Sequence, residues 1–236
     1  FNLPENYECN YTPVKKLPGS LWLARKYDNN DGASSIVVKK CMKPFESADL
    51  AKRLLRQLHF LRTIKHENIV RLIGTYTVKE ESGDEAIYTI SNYCGDPLSE
   101  RIELGDYTMR DVKKWIREML MAVQHLHSNG IVHRNLRPGN IGIDANNKLT
   151  LLDFGKDRTS RKHDRDSDRG VNQYSPIELI VEMKEEYDEK VDIWSISVLL
   201  FDLITGFPLF DEKNPLNQQI QFCGPVGDSV IAKVKN

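Results

Sequence analysis

Between positions 133 and 155 the chain gathers side chains that could hold a metal and a phosphate. The run His133-Arg134-Asn135-Leu136-Arg137-Pro138-Gly139-Asn140 is followed, eighteen residues after Asn135, by Asp153-Phe154-Gly155. Asn140 and Asp153 offer hard oxygen donors of the kind magnesium prefers. Upstream, Lys39 ends the apolar run Ile36-Val37-Val38 and adds a cation at the end of a β-prone segment. Asn135, in the middle of the loop, contributes an uncharged amide with no usable basicity near neutral pH.

These groups need a scaffold, and the flanking sequence describes one. Ser20 to Ala24 and Ser35 to Lys39 are β-prone and are separated by the turn signal Asp28-Asn29-Asn30-Asp31-Gly32. Ser47 is placed to cap a helix whose Leu50, Leu54, Leu58 and Leu61 recur at helical spacing as far as Ile64. Ile69 to Tyr76 and Ala86 to Ile90 read as two further strands joined by the acidic loop Lys79 to Glu85. After the punctuation Cys94-Gly95-Asp96-Pro97 the pattern turns helical. Thr108 with Asp111 three residues later marks a helix start, and Val112, Trp115, Ile116, Met119, Leu120, Val123 and Leu126 form its apolar face. Short β-like pieces lie between Ile131 and Leu152, Lys156 to Gly170 is too polar to pack, and a strong helix covers Val191 to Thr205. The expected fold is α+β, with a small antiparallel β lobe over 1–92 carrying one main helix and a larger, mostly α lobe over 93–236.

Composition narrows the function classes. Among 236 residues, 33 Lys+Arg stand against 34 Asp+Glu, so the formal net charge is −1. A general nucleic-acid or membrane-surface binder would carry a basic excess, so neither partner is expected. No stretch reaches the ~20 apolar residues a membrane helix needs. Cys9, Cys41, Cys94 and Cys223 lie far apart without C-x-x-C spacing, which points to reduced thiols in cytoplasm or nucleus. No oligomeric state is legible.

The pattern H-R-x-L-x-P-x-N, then D-F-G, preceded by Val37-Val38-Lys39 and followed by Val191-Asp192-Ile193-Trp194-Ser195, resembles the protein-kinase signature set. Lys43-Pro44-Phe45-Glu46, Lys65-His66-Glu67-Asn68-Ile69 and the V-D-I-W-S run make it most similar to the mitogen-activated protein kinases, above all their stress-activated branch. The resemblance implies a bilobal fold with a catalytic loop at 131–143 and an activation segment at 153–178. It implies that Asn140 and Asp153 are the magnesium ligands, that Lys39 clamps the nucleotide phosphates, and that Ser91 is the gatekeeper. Asn92, Tyr93 and Cys94 fall on the hinge that meets adenine, and Gly142 on the adenine floor.

The sequence departs from that family where the chemistry happens. Gln57 stands in place of the glutamate that pairs with the strand lysine. Lys16, Pro18 and Leu21 occupy the positions of the three phosphate-cradling glycines, and Leu21, Trp22 and Leu23 are expected to turn inward and fill part of the cleft. Asn135 replaces the aspartate base and Arg137 the catalytic-loop lysine. Asp166-Ser167-Asp168 falls on the T-x-Y phosphorylation triplet, and Ser175-Pro176-Ile177-Glu178 on A-P-E, with no arginine assignable to Glu178. The match stops short of the family's length, which leaves a fragment and a naturally shortened lobe both open. The expectation is a pseudokinase working by protein binding in a kinase cascade, with ATP and magnesium bound weakly or not at all. The alternatives are a slow, atypical serine/threonine kinase and a nucleotide-gated switch without transfer.

Overall fold

A computed structural model of the chain describes residues 10–17, 21–27, 33–80, 82–152, 158–159, 172–181, 188–225 and 227. Five antiparallel strands form the first sheet: β1 (Asn10–Leu17), β2 (Leu21–Tyr27), β3 (Ala33–Met42), β4 (Leu72–Lys79) and β5 (Glu85–Asn92), in the order β1-β2-β3-β5-β4. One helix, α1 (Ala48–Thr63), connects β3 to β4, and the Ser47 hydroxyl accepts the Leu50 N–H at 3.1 Å as its cap. Leu54 and Phe60 are its buried residues; Leu50, Leu58 and Leu61 are half-buried.

Register decides what each sheet face carries. Trp22 pairs with Val38 and Ala24 with Ile36, while Leu21 pairs with Lys39 and Leu23 with Val37. Because successive residues alternate faces, Trp22 joins Ala24, Ile36, Val38, Ala86, Tyr88 and Ile90 in a buried cluster on one side. Lys39 emerges on the other, alongside Leu21, Leu23 and Thr89. The expectation that Trp22 turns the same way as Leu21 and Leu23 is therefore corrected: the strand's period of two sends it to the opposite face.

The expected strand at Ile69 starts later, at Leu72, because residues 66–69 do other work. The chain divides into Phe1–Lys65 with Val70–Cys94, and His66–Ile69 with Gly95–Asn236. His66–Ile69 thus belongs to the second unit although both its sequence neighbours belong to the first.

The second unit is mostly helical. In chain order it contains β6 (Asp96–Pro97), α2 (Leu98–Leu104), α3 (Met109–Ser128), β7 (Ile131–Val132), a 3-10 turn at Pro138–Asn140, β8 (Ile141–Ile143), β9 (Leu149–Leu151), β10 (Arg158–Thr159), α4 (Ile177–Ile180), α5 (Lys190–Thr205) and α6 (Pro215–Cys223). Thr108 and Asp111 close the capping box at the start of α3, each side chain bonding the other's backbone N–H. Val112, Trp115, Met119, Ala122, Val123 and Leu126 are buried along its inner face. Leu120, expected there, is 41% exposed, because it edges an apolar groove of about 670 Å³ that α3 forms with Ile193, Leu200 and Ile204 of α5. Arg158–Thr159, inside the stretch expected not to pack, pairs with β7.

Gly95 shows how tightly the start of this unit is built. Its φ is +90°, and a Cβ placed there would lie 1.9 Å from the Ile143 carbonyl oxygen. Gly95→Ala is expected to cost more than the ~1–3 kcal/mol of backbone strain alone. In a thermal melt that is a fall of at least ~2–4 °C for a chain of this size; an unchanged melt would show that β6 approaches β8 less closely.

Candidate active site

The loop from His133 to Asn140 is organised by a carboxylate from the Val191-Asp192-Ile193-Trp194-Ser195 run. Asp192, fully buried on the first turn of α5, accepts the His133 N–H at 2.9 Å and the Arg134 N–H at 2.7 Å, and lies 2.8 Å from His127 Nε2 on α3. These bonds hold Arg134 at φ +61°, a left-handed conformation that a non-glycine residue rarely adopts. Asn135 follows, only 3% exposed, its N–H directed to His133 Nδ1 at 3.3 Å.

Asn140 is 7% exposed, and its side-chain amide donates to the Asn135 carbonyl at 2.8 Å. That bond uses the amide's donor and turns the Asn140 oxygen away from it, as a hard metal ligand requires. Asn140 O in turn accepts the Leu152 N–H at 3.0 Å, tying the loop to the residue after β9. Arg137 lies exposed at the start of the 3-10 turn. Asp153, expected as a magnesium ligand, and Asp166, Ser167 and Asp168, expected on the phosphorylation triplet, lie outside the described residues.

In the first unit, Lys39 is half-buried on β3 between Leu21 of β2 and Thr89 of β5, and Gln57 is half-buried on α1. Ser91 pairs with Val37 near the end of β5, and Asn92 with Ile36. Beyond the strand, the Tyr93 N–H donates to the Ser35 carbonyl at 3.1 Å, and Cys94 Sγ donates to the Asn92 carbonyl at 3.5 Å. Gly142 is buried on β8, in the second unit.

Downstream, the segment 172–178 is fastened by side chains. Ser195 Oγ donates to the Tyr174 carbonyl at 2.8 Å, and Tyr174 OH to buried Asp202 at 2.9 Å. Gln219 Nε2 of α6 donates to the Ser175 carbonyl at 2.8 Å. Burial and the Asp202 carboxylate push the Tyr174 phenol well above its usual range. Glu178 is different, since among the described residues no arginine or lysine pairs with it, and burial, with Asp188 adding to it, raises its carboxyl above the usual value. A carboxyl raised on folding binds protons more tightly in the native state, so its stability cost is absent below its unfolded pKa, near 4.3, and grows as pH rises through the raised value. Glu178→Gln is therefore expected to melt higher than wild type at pH 7.5 and equally at pH 4; a variant that melts lower at pH 7.5 would reveal a stabilising partner.

Asp192, His127 and Asn68 are the organising residues that the motif reading left without roles. A signal for Asp192 was present: a charge on the first turn of a largely apolar helical run must be paired if that helix is central.

The chain belongs to the protein kinase domain family, whose model matches residues 19–228. Its relatives place it more narrowly as a MAP-kinase-like domain. Mitogen-activated protein kinase pmk-3 of Caenorhabditis elegans is 30% identical over all of this chain and 53% of its own length. Mitogen-activated protein kinase HOG1A of Wallemia ichthyophaga is 32% identical over 88% of this chain and 56% of its own. Mitogen-activated protein kinase 14 of Xenopus laevis is 31% identical over 92% and 59%. The chain thus spans little more than half the length of the curated relatives it matches.

Proposed function

We propose that this domain is a pseudokinase of the mitogen-activated-protein-kinase type, acting by protein binding as a scaffold, decoy or allosteric partner in a kinase cascade of the cytoplasm or nucleus. The observation that carries this reading is Asn135, a non-basic amide in the base's place, within a loop whose other hydrogen bonds are in order. Phosphoryl transfer depends on held phosphates, placed magnesium and an aimed acceptor hydroxyl. Here the acceptor has no base, the strand lysine has Gln57 in place of its glutamate, and Pro18 removes a backbone N–H from the phosphate cradle.

Asn140 and Asp153 are the residues that would hold magnesium, which when bound neutralises phosphate charge. Lys39 would meet the phosphates, and Asn92 to Cys94 the base. The donor bond from Asn140 to Asn135 favours a second reading, a slow serine/threonine kinase using Lys39, Arg137, Asn140 and Asp153, since positioning alone retains part of the rate. A thermal-shift titration with ATP, with and without magnesium, tests the primary reading. The expected midpoint is ~1 mM or weaker, at the upper end of ordinary substrate affinities. A magnesium-dependent midpoint in the low micromolar range would overturn the weak-nucleotide reading.

A further inference from the structure

We infer that the crossover His66–Ile69 positions the strand leading to Asp153, and that the imidazole pair His66–His125 makes this grip release in acid. Asn68 is 1% exposed and holds β9 from both directions. Its side-chain amide donates to the Leu149 carbonyl at 2.8 Å, and its own carbonyl accepts the Leu151 N–H at 2.9 Å. Ile69 bridges Leu151 in parallel. One residue further, the Leu152 N–H donates to the Asn140 backbone carbonyl, so a continuous set of hydrogen bonds runs from Asn68 through β9 to the backbone of Asn140.

His66 keeps Asn68 in place. Its Nδ1 accepts the Asn68 N–H at 3.0 Å, a bond that exists only while that nitrogen carries no proton. The ring lies 5.1 Å from the His125 ring of α3, tilted by 31°. The titratable and charged groups around it are His125 from α3, Lys148 from the turn before β9, and Glu67 beside it; Lys148 and Glu67 pair at 3.7 Å. Burial first, then His125, hold the His66 pKa below its ordinary value, and of these groups Glu67 alone pulls the other way. A histidine depressed on folding contributes stability that is complete above its unfolded pKa, near 6.5, and is lost as pH falls below it. Protonation converts the Nδ1 acceptor into a donor facing another donor, and sets a cation against the neighbouring imidazole.

The test is amide hydrogen exchange on the whole chain at pH 7.5 and 5.5, corrected for intrinsic rates. Protection at Leu151 and Leu152 is expected to fall at the lower pH by up to ~tenfold more than protection in the middle of α3, the limit for one pH unit below an open-state pKa near 6.5. His66→Asn supplies an oxygen that can accept from the residue two positions on without titrating, so its pH response should be flat. His125→Phe keeps a ring and removes the neighbouring imidazole, and should reduce the response. Equal responses at Leu151 and in α3 of the wild type would overturn the inference, as would a His125→Phe or His66→Asn response matching wild type. The inference takes Asp153 as a metal position only for its consequence; the exchange measurement needs no nucleotide and stands or falls without phosphotransfer.

Discussion

Asp192→Ala is expected to destabilise the second unit by about 3–5 kcal/mol, the cost of stripping the partner from a buried, hydrogen-bonded charge site. The carboxylate is fully buried and serves two backbone N–H groups and an imidazole. Alanine leaves the His133 and Arg134 N–H groups without an acceptor in the interior, where each unmet donor costs ~1–3 kcal/mol. The strained φ of Arg134 then loses what sustains it. In a thermal melt the fall should be roughly 6–20 °C for a chain of this size. Asp192→Asn keeps an acceptor and most of the volume and should lie between the two. A melt within ~2 °C of wild type for the alanine variant would mean that the loop is held by something other than Asp192.

The second large effect is a gain. Asn135→Asp combined with Gln57→Glu is expected to raise γ-phosphate transfer to a protein substrate by at least ~10²-fold over wild type, the lower end of what a positioned base contributes. Residue 135 needs no repositioning, because its N–H is already directed to His133 and its carbonyl already accepts from Asn140. A glutamate at 57 puts a carboxylate where this chain has an uncharged amide. Equal rates for wild type and the double variant at saturating ATP and magnesium would show that residues 135 and 57 are not what limits transfer.

The sequence carried the local parts of this structure openly. The Ser47 cap and the Thr108–Asp111 box form between residues three apart, so the chain itself displays both partners. The α+β protein-kinase fold, with a β-rich part preceding a helical one, likewise followed from periodicity and motif wording. What stayed hidden depends on residues brought together from afar. Asn68 meets Leu149 across 81 positions, and Asp192 meets His133 across 59. Neither pairing has a local signature, and only the buried charge of Asp192 hinted at one. The opposed directions of Leu21 and Trp22 were readable from strand alternation, yet their shared bulk suggested a single face. Of the candidate site, the residue identities in the catalytic loop were legible, whereas the hydrogen bonds that order Asn135 and Asn140 required the fold.

The central claim is an assembled catalytic loop that does not turn over. The most direct measurement is transfer of the ATP γ-phosphate to a protein substrate by wild type beside Asp153→Ala, with millimolar ATP and magnesium. Rates for the two proteins that coincide at background are the expected result. A wild-type rate above background that Asp153→Ala abolishes would contradict the account and identify the domain as an active kinase.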